Sequence, residues 1–329
     1  MTPLLYVLNK GNKDLVKYFL EQEPYVSKED KRGRTLLFNA CENGNTSMVK
    51  YLIEKGADIN IEDNNGVTPL LNACNNGYES IVKYLVERGA DINKEDNNGV
   101  TPILNAYNNG YENIVKYLVE HGADINKKKN DGLTLLFNAC LSRNENIVKC
   151  LVEHGADINH KNKYGITPIF NACLNKNVHL VEYSIEHGAD INKATKKNGK
   201  TPLFDACMSR NENIVKCLVE FGADINKENI NGDTPLFNAC LSKNVRLVDY
   251  LLEHEADINK ATRKFGILPL YDVYEYQYKN KTIVKFLVKH GLSRDYYYMN
   301  KNVLFFDYLY DHDAYIHKVI KKMVIKHRY

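Results

Sequence analysis

The feature that most narrows what this chain can become is a phrase that returns on schedule: a threonine, usually a proline, two apolar residues, an asparagine, an alanine and a small residue. Thr35, Thr68, Thr101, Thr134, Thr167, Thr201 and Thr234 open successive copies, and the intervals 68−35, 101−68 and 134−101 each equal 33. A period of this length marks stacked supersecondary units rather than one globular core. No single unit buries its own apolar face, so each depends on its neighbours. Chemistry-bearing residues are thereby held one unit apart, which argues against a catalytic role.

Total charge does little to choose a partner: 44 basic residues against 41 acidic leave a net charge of +3, with 44% hydrophobic and 26% charged residues. No strongly acidic or basic partner is implied globally. Met1-Thr2-Pro3 is followed by only five apolar residues, Leu4 to Leu8, without a basic lead. That is too short for a signal peptide, and nothing elsewhere approaches the ~18 apolar residues of a membrane span.

The eight cysteines are explained by repetition. Cys41, Cys74, Cys140, Cys173, Cys207 and Cys240 sit six residues after a repeat threonine, and Cys150 and Cys217 share a second position, sixteen after it. Stacked helices lie roughly 8–10 Å apart whereas a disulfide needs Cα atoms within about 7 Å, so equivalent cysteines in adjacent copies are expected to stay free as small core fillers. Free thiols in this number imply a reducing compartment, the cytoplasm with the nucleus as the alternative.

One copy shows how the unit is built. Thr68 and Pro69 read as N-cap and first helical residue, and Gly77 closes a short helix. The second helix carries Ile81, Val82, Leu85 and Val86 at the spacing of one buried face. Gly89 ends it, and Asp96-Asn97-Asn98-Gly99 has the chemistry of a tight reversing turn.

Helix, turn, longer helix and β-turn at this period resemble the ankyrin repeat, over about residues 1–291. Gly56-Ala57-Asp58, Gly89-Ala90-Asp91, Gly122-Ala123-Asp124, Gly155-Ala156-Asp157, Gly188-Ala189-Asp190 and Gly222-Ala223-Asp224 make the motif specific by returning on schedule, whereas Glu23-Pro24-Tyr25 replaces it in the first copy. The resemblance implies an all-α ankyrin-repeat solenoid of paired antiparallel helices with β-turn connections. About nine copies are expected, beginning near 2, 35, 68, 101, 134, 167, 201, 234 and 268, in a domain over 1–292 followed by a helical capping extension over 293–329. The family's histidine, three after the threonine, is replaced by Phe38, Leu71, Leu104, Phe137, Phe170, Phe204 and Phe237. The glycine that closes the first helix becomes Arg143, Lys176, Arg210 and Lys243 in later copies, each followed by Asn.

The resemblance further implies a non-catalytic scaffold that binds a protein partner on its concave face, as a monomer, with no cofactor, metal or small-molecule substrate. Positions four, seven and eight after the threonine share one helix stripe, which with the turn tips would line that face. Its composition changes along the chain. Early copies offer Asn75, Asn76, Asn108 and Asn109, whereas later ones offer Leu141, Leu174, Met208 and Leu241, with Tyr164, Ile230 and Phe265 at turn tips. An exposed apolar ridge would be a binding site; the same leucines packed between adjacent first helices would be core. The sequence leaves both readings open.

Other columns invite the same comparison. Asn39, Asn72, Asn105, Asn138, Asn171, Asp205, Asn238 and Asp272 fill the fourth position, as a ladder between repeats or as partner contacts. Two hairpins carry one extra residue and are basic, 193–197 and 260–264, so Lys196, Lys197, Arg263 and Lys264 are candidate contacts for an acidic surface. His121, His154, His187, His254 and His290 lie in the last turn of each second helix, one repeat apart, too far to share a zinc and well placed to meet exposed carbonyls. Asn93, Asn126, Asn159 and Asn226 resemble the ankyrin asparagines that oxygen-dependent hydroxylases modify. Ile316, Val319, Ile320, Met323 and Val324 alternate with lysines in the tail. Such a segment caps the last repeat, recruits a ubiquitin ligase or another complex as an adaptor, or touches a membrane or nucleic acid; the capping reading is preferred.

Overall fold

A computed structural model describes residues 27–128, 131–209, 211–242, 244–257 and 260. The copies near 2 and 268, Arg263, Lys264, Phe265, His290 and the tail 293–329 lie outside the described residues. Among those described there are fourteen helices and no strand. They are α1 (Leu36–Glu42), α2 (Thr46–Glu54), α3 (Pro69–Asn76), α4 (Glu79–Glu87), α5 (Pro102–Asn108), α6 (Glu112–Glu120), α7 (Leu135–Ser142), α8 (Glu145–Glu153), α9 (Pro168–Leu174), α10 (Val178–Glu186), α11 (Pro202–Ser209), α12 (Glu212–Glu220), α13 (Pro235–Leu241) and α14 (Val245–Glu253). Odd helices follow the repeat threonines and even helices are the longer second members of each pair. The architecture is that of an all-α repeat solenoid. Helices of seven to nine residues do not persist alone in water, so packing against neighbours maintains them.

Local chemistry fixes where each helix starts and stops. Thr68 Oγ1 accepts from Leu71 N at 3.2 Å with Pro69 at the first helical position, and Gly77 ends the helix at φ 76°. Such a cap is worth about 1 kcal/mol. Thr35, Thr101 and Thr234 cap the same way. Thr167 and Thr201 do not: there the N–H groups of Phe170 and Phe204 donate to the threonine carbonyls at 3.1 and 3.0 Å, and the hydroxyls stay buried without a partner. The first turn is tighter in these two copies, so the cap expected from sequence is replaced by a backbone bond.

The loss of glycine in later copies has a packing explanation. A Cβ on Gly44 would lie 2.7 Å from the Tyr78 ring, and one on Gly77 would lie 2.5 Å from the Tyr111 ring. Tyrosine in one copy therefore demands glycine in the copy before. Where the following copy has asparagine in place of that tyrosine, Asn177 after Arg143 and Asn211 after Lys176, the two basic residues take φ 61° and 59°, and Asn177 Oδ1 accepts from Leu180 N at 3.2 Å to cap α10.

Among the described residues two compact units are distinguished: 27–128 with 134–136 and 145–157, and 131–133, 137–144 and the described residues from 158 to 257. In the first, α1, α3 and α5 pack in sequence, as do α2, α4, α6 and α8. In the second, α9, α11 and α13 form one row and α10, α12 and α14 the other. The cores match position for position. Leu71, Ala73, Cys74, Ile81, Val82 and Leu85 are 0% exposed in the first unit, and Phe204, Ala206, Cys207, Ile214, Val215 and Leu218 are 0% exposed in the second. Each large side chain so buried contributes about 1.5–3 kcal/mol. Tyr84 is buried where Val86 was expected to be, and Val86 is half-buried. No described helix is long and apolar enough to cross a membrane.

Candidate partner-binding face

The hairpins are built by an acidic or amide side chain that folds the backbone over itself. Asp63 Oδ1 accepts from Asn65 N and Val67 N at 2.8 and 2.9 Å, while Asp63 N donates to Val67 O and Gly66 N donates to Asp63 O. Asn162 and Asn229 repeat this in the second unit. In the long hairpin Thr195 takes the role: Thr195 N donates to Lys200 O, and Lys200 N donates to Thr195 Oγ1 at 3.1 Å. Adjacent tips are then joined by backbone bonds, Asn97 N to Asn65 O in the first unit, Lys196 N to Tyr164 O and Ile230 N to Asn198 O in the second, at 2.9–3.1 Å. Tyr164, Lys196 and Ile230 are thus set at a fixed step on neighbouring tips.

The first-helix stripe shows which residues the fold leaves outside. Asn75 and Asn108 are exposed in the first unit, and Asn109 Nδ2 donates to Asn75 Oδ1 at 3.3 Å. In the second unit Leu141, Leu174 and Met208 are 53%, 52% and 47% exposed, and Tyr164 and Ile230 are 51% and 69% exposed at the tips. These side chains do not pack away between first helices. Leu241 does not stand out in the same way, being half-buried. Asn175, beside Leu174, donates to the carbonyls of Cys140 (2.7 Å) and Leu141, so the exposed side chains project from helix ends that are tied together.

The two asparagine columns are spent on cohesion. In the fourth position, Nδ2 of Asn72, Asn105, Asn171 and Asn238 donates to the carbonyls of Phe38, Leu71, Phe137 and Phe204 at 3.1–3.4 Å. Asp205 has no N–H to give, and burial pushes its carboxyl above the usual carboxylate range. The asparagine that closes the second-helix motif is a staple that sequence reading did not anticipate. Oδ1 of Asn60, Asn93, Asn126, Asn159, Asn192 and Asn226 accepts from the backbone N–H of Asp91, Asp124, Asp157, Asp190, Asp224 and Asp257 at 2.7–3.0 Å. Nδ2 of Asn93, Asn126, Asn159 and Asn226 donates to the carbonyls of Gly122, Gly155, Gly188 and Glu255. All four asparagines singled out in the sequence for hydroxylation are thus bonded to the next repeat through both amide atoms.

The histidines have hydrogen-bond partners within the fold, and the cysteines are core residues. Nδ1 of His121, His154, His187 and His254 lies 2.8 Å from the carbonyl oxygen four residues earlier, and the rings of His121 and His187 stack on Tyr117 and Tyr183 at 3.9 Å. Among the described residues no group of three His, Cys, Asp or Glu is gathered for a metal. All eight cysteines are free and buried, and burial pushes their thiols up, Cys140 and Cys240 to about 12 and Cys217 to about 11. A thiol held so far from ionisation is a poor nucleophile. A cleft of about 300 Å³ between α12 and α14 is lined by Glu212, Lys216, Arg246, Asp249, Tyr250 and Glu253, on the second helices and not on the stripe.

A family model of ankyrin repeats, described as three copies, matches residues 4–96, 93–162, 157–229 and 221–300. The chain belongs to the ankyrin repeat family. Among solved structures, the ankyrin repeat domain of human ASB11 is similar to this ankyrin-repeat chain at 27% identity, covering 68% of this chain and 99% of that one with a TM-score of 0.55. No curated protein matches it. Ankyrin repeats in general mediate contact between proteins, and are interaction modules rather than catalytic ones.

Proposed function

We propose that this chain is a non-catalytic scaffold that captures a protein partner on the first-helix stripe and hairpin tips of its second unit. The observation that carries this reading is the exposure of Leu141, Leu174 and Met208 at a repeat position where the first unit carries Asn75 and Asn108. Since asparagine satisfies the fold there, the apolar residues are not needed for folding, and leaving them in water forfeits roughly 25 cal/mol for every Å² of apolar surface that a partner would cover. The free thiols support a reducing compartment, the cytoplasm or the nucleus, as the place of action.

The test is the triple variant Leu141→Ser, Leu174→Ser, Met208→Ser, compared with the parent in quantitative capture from native extract and in thermal unfolding. Partner yield is expected to fall at least about tenfold, the equivalent of losing one buried anchor, while the unfolding midpoint stays within a degree or two, as for surface substitutions. A large fall in the midpoint, or undiminished capture, contradicts the proposal.

A further inference from the structure

We propose that the hairpins over 160–166 and 193–200 bind carboxylate side chains of an acidic protein segment, whose apolar residues lie against Tyr164 and the neighbouring ridge. The proposal rests on the reading of this face as partner-binding and adds the chemistry of the partner.

The argument begins with an ion-pair register. In this fold the second hairpin residue of one repeat faces the first hairpin residue of the next. Glu62 pairs with Lys94 at 2.7 Å, Glu95 pairs with Lys127, and Glu228 pairs with Lys260 at 3.3 Å. The same 32-residue register sets Lys161 against Lys193, two cationic side chains that influence each other across neighbouring tips, with Lys196 contributing to the same field. The acidic group that faces them is Asp190, 3.5 Å from Lys193 Nζ. The repeat tolerates glutamate at the Lys161 position, so a lysine there is not dictated by folding. Like charges so placed repel, and the crowding holds the Lys161 ammonium below its ordinary range. A carboxylate arriving between them replaces the missing glutamate.

The surroundings favour an acidic polypeptide over a bare anion. Lys161, Lys163, Lys193, Lys196, Lys197 and Lys200 occupy these two hairpins, and neither 160–166 nor 193–200 contains an acidic residue. The stem of Lys196 lies flat on Gly165, where a Cβ would meet Lys196 N at 2.8 Å and Cγ at 2.9 Å. That contact, with the bond from Lys196 N to Tyr164 O, fixes the base of the Lys196 stem beside Tyr164. Lys163 Nζ lies 5.0 Å from the centre of the exposed Tyr164 ring, so cationic and apolar surfaces alternate over one hairpin. Carboxylates spaced by apolar residues match that alternation.

The informative variant is Lys161→Glu, which restores the pairing seen at Glu62, Glu95 and Glu228 and so leaves the fold intact. Fluorescence anisotropy with the full chain compares a labelled peptide of repeating Glu-Glu-Leu with its Gln-Gln-Leu counterpart, a single-stranded oligonucleotide and phosphatidylserine vesicles. The Glu peptide is expected to bind at least about tenfold tighter than the Gln peptide, to lose about tenfold in affinity on Lys161→Glu, and to weaken steeply with salt. Equal binding of the two peptides, binding indifferent to Lys161→Glu, or tighter binding of the oligonucleotide or vesicles that the variant abolishes, overturns the inference. If Lys161→Glu leaves capture from extract unchanged while the ridge variant abolishes it, the acidic partner is wrong and the ridge stands; if neither variant matters, both readings fall.

Discussion

The two units share a skeleton and differ in what they show to solvent. In the first, the first helices present Asn75 and Asn108; in the second, equivalent positions hold Leu141, Leu174 and Met208, and one hairpin carries Lys161 where Glu62, Glu95 and Glu228 form ion pairs. The positions that build the repeat do not change in this way. Leu71 and Phe204 occupy the same buried site, and Asn93 and Asn159 make the same pair of bonds to the next copy. Repetition thus separates two kinds of residue: those the stack requires recur in both units, and those it leaves free carry whatever distinguishes one stretch of surface from another.

The hardest test of the shared skeleton is truncation in both cores. Leu71→Ala and Phe204→Ala should each cost about 2–5 kcal/mol, because the removed atoms leave a cavity in a site with no exposed surface. Urea unfolding followed by circular dichroism reads both, and a loss confined to one unit would show that the skeletons are not equivalent.

A smaller effect separates the units at the fourth position, where Asn72 donates to Phe38 O and Asp205 donates nothing. Burial raises the folded-state carboxyl above its unfolded value, so between the two values the folded chain holds a proton that the unfolded chain has released. Stability therefore falls as pH rises through that window and is regained on acidification towards the ordinary carboxylate value of 3.8. Asp205→Asn should add about 1 kcal/mol above that window, where an amide donor replaces a buried carboxylate at a position whose asparagines donate to the preceding repeat. Its advantage should narrow as the pH approaches about 4, and an advantage that is the same in acid and at neutrality would refute the assignment.

The smallest effects belong to the hairpin pairs. Glu62→Lys should lower the unfolding midpoint slightly and Lys161→Glu should raise it slightly, since the first breaks a register that the second completes. Both shifts should shrink in about 1 M salt, because exposed pairs are weak and screened. Shifts of equal sign would end the comparison.

Much of this molecule is readable from residue order, and the parts that are not fail for identifiable reasons. Thr68-Pro69 and Gly77 mark a helix because their chemistry acts within a few residues, and the structure puts helix boundaries there. Thr167 and Thr201 break the rule because the choice between a hydroxyl and a carbonyl acceptor depends on how tightly the first turn closes. Val86 and Tyr84 exchange expected places because spacing defines a face but not its centre. The stapling role of Asn93 links atoms 31 residues apart, a distance at which periodicity is informative only once the step between copies is known. Lys161 looks like any solvated lysine until Glu62 and Lys94 reveal which residue it should face.

The thiols at the sixth position have a practical consequence. Cys41, Cys74, Cys140, Cys173, Cys207 and Cys240 are at most 1% exposed, one at this position in each described helix pair except the one opening at Thr101, which has Tyr107 instead. An alkylating reagent reaches each sulfur only when its own pair opens. The order in which these six peptides gain mass is therefore a record, written by the chain itself, of which modules breathe first.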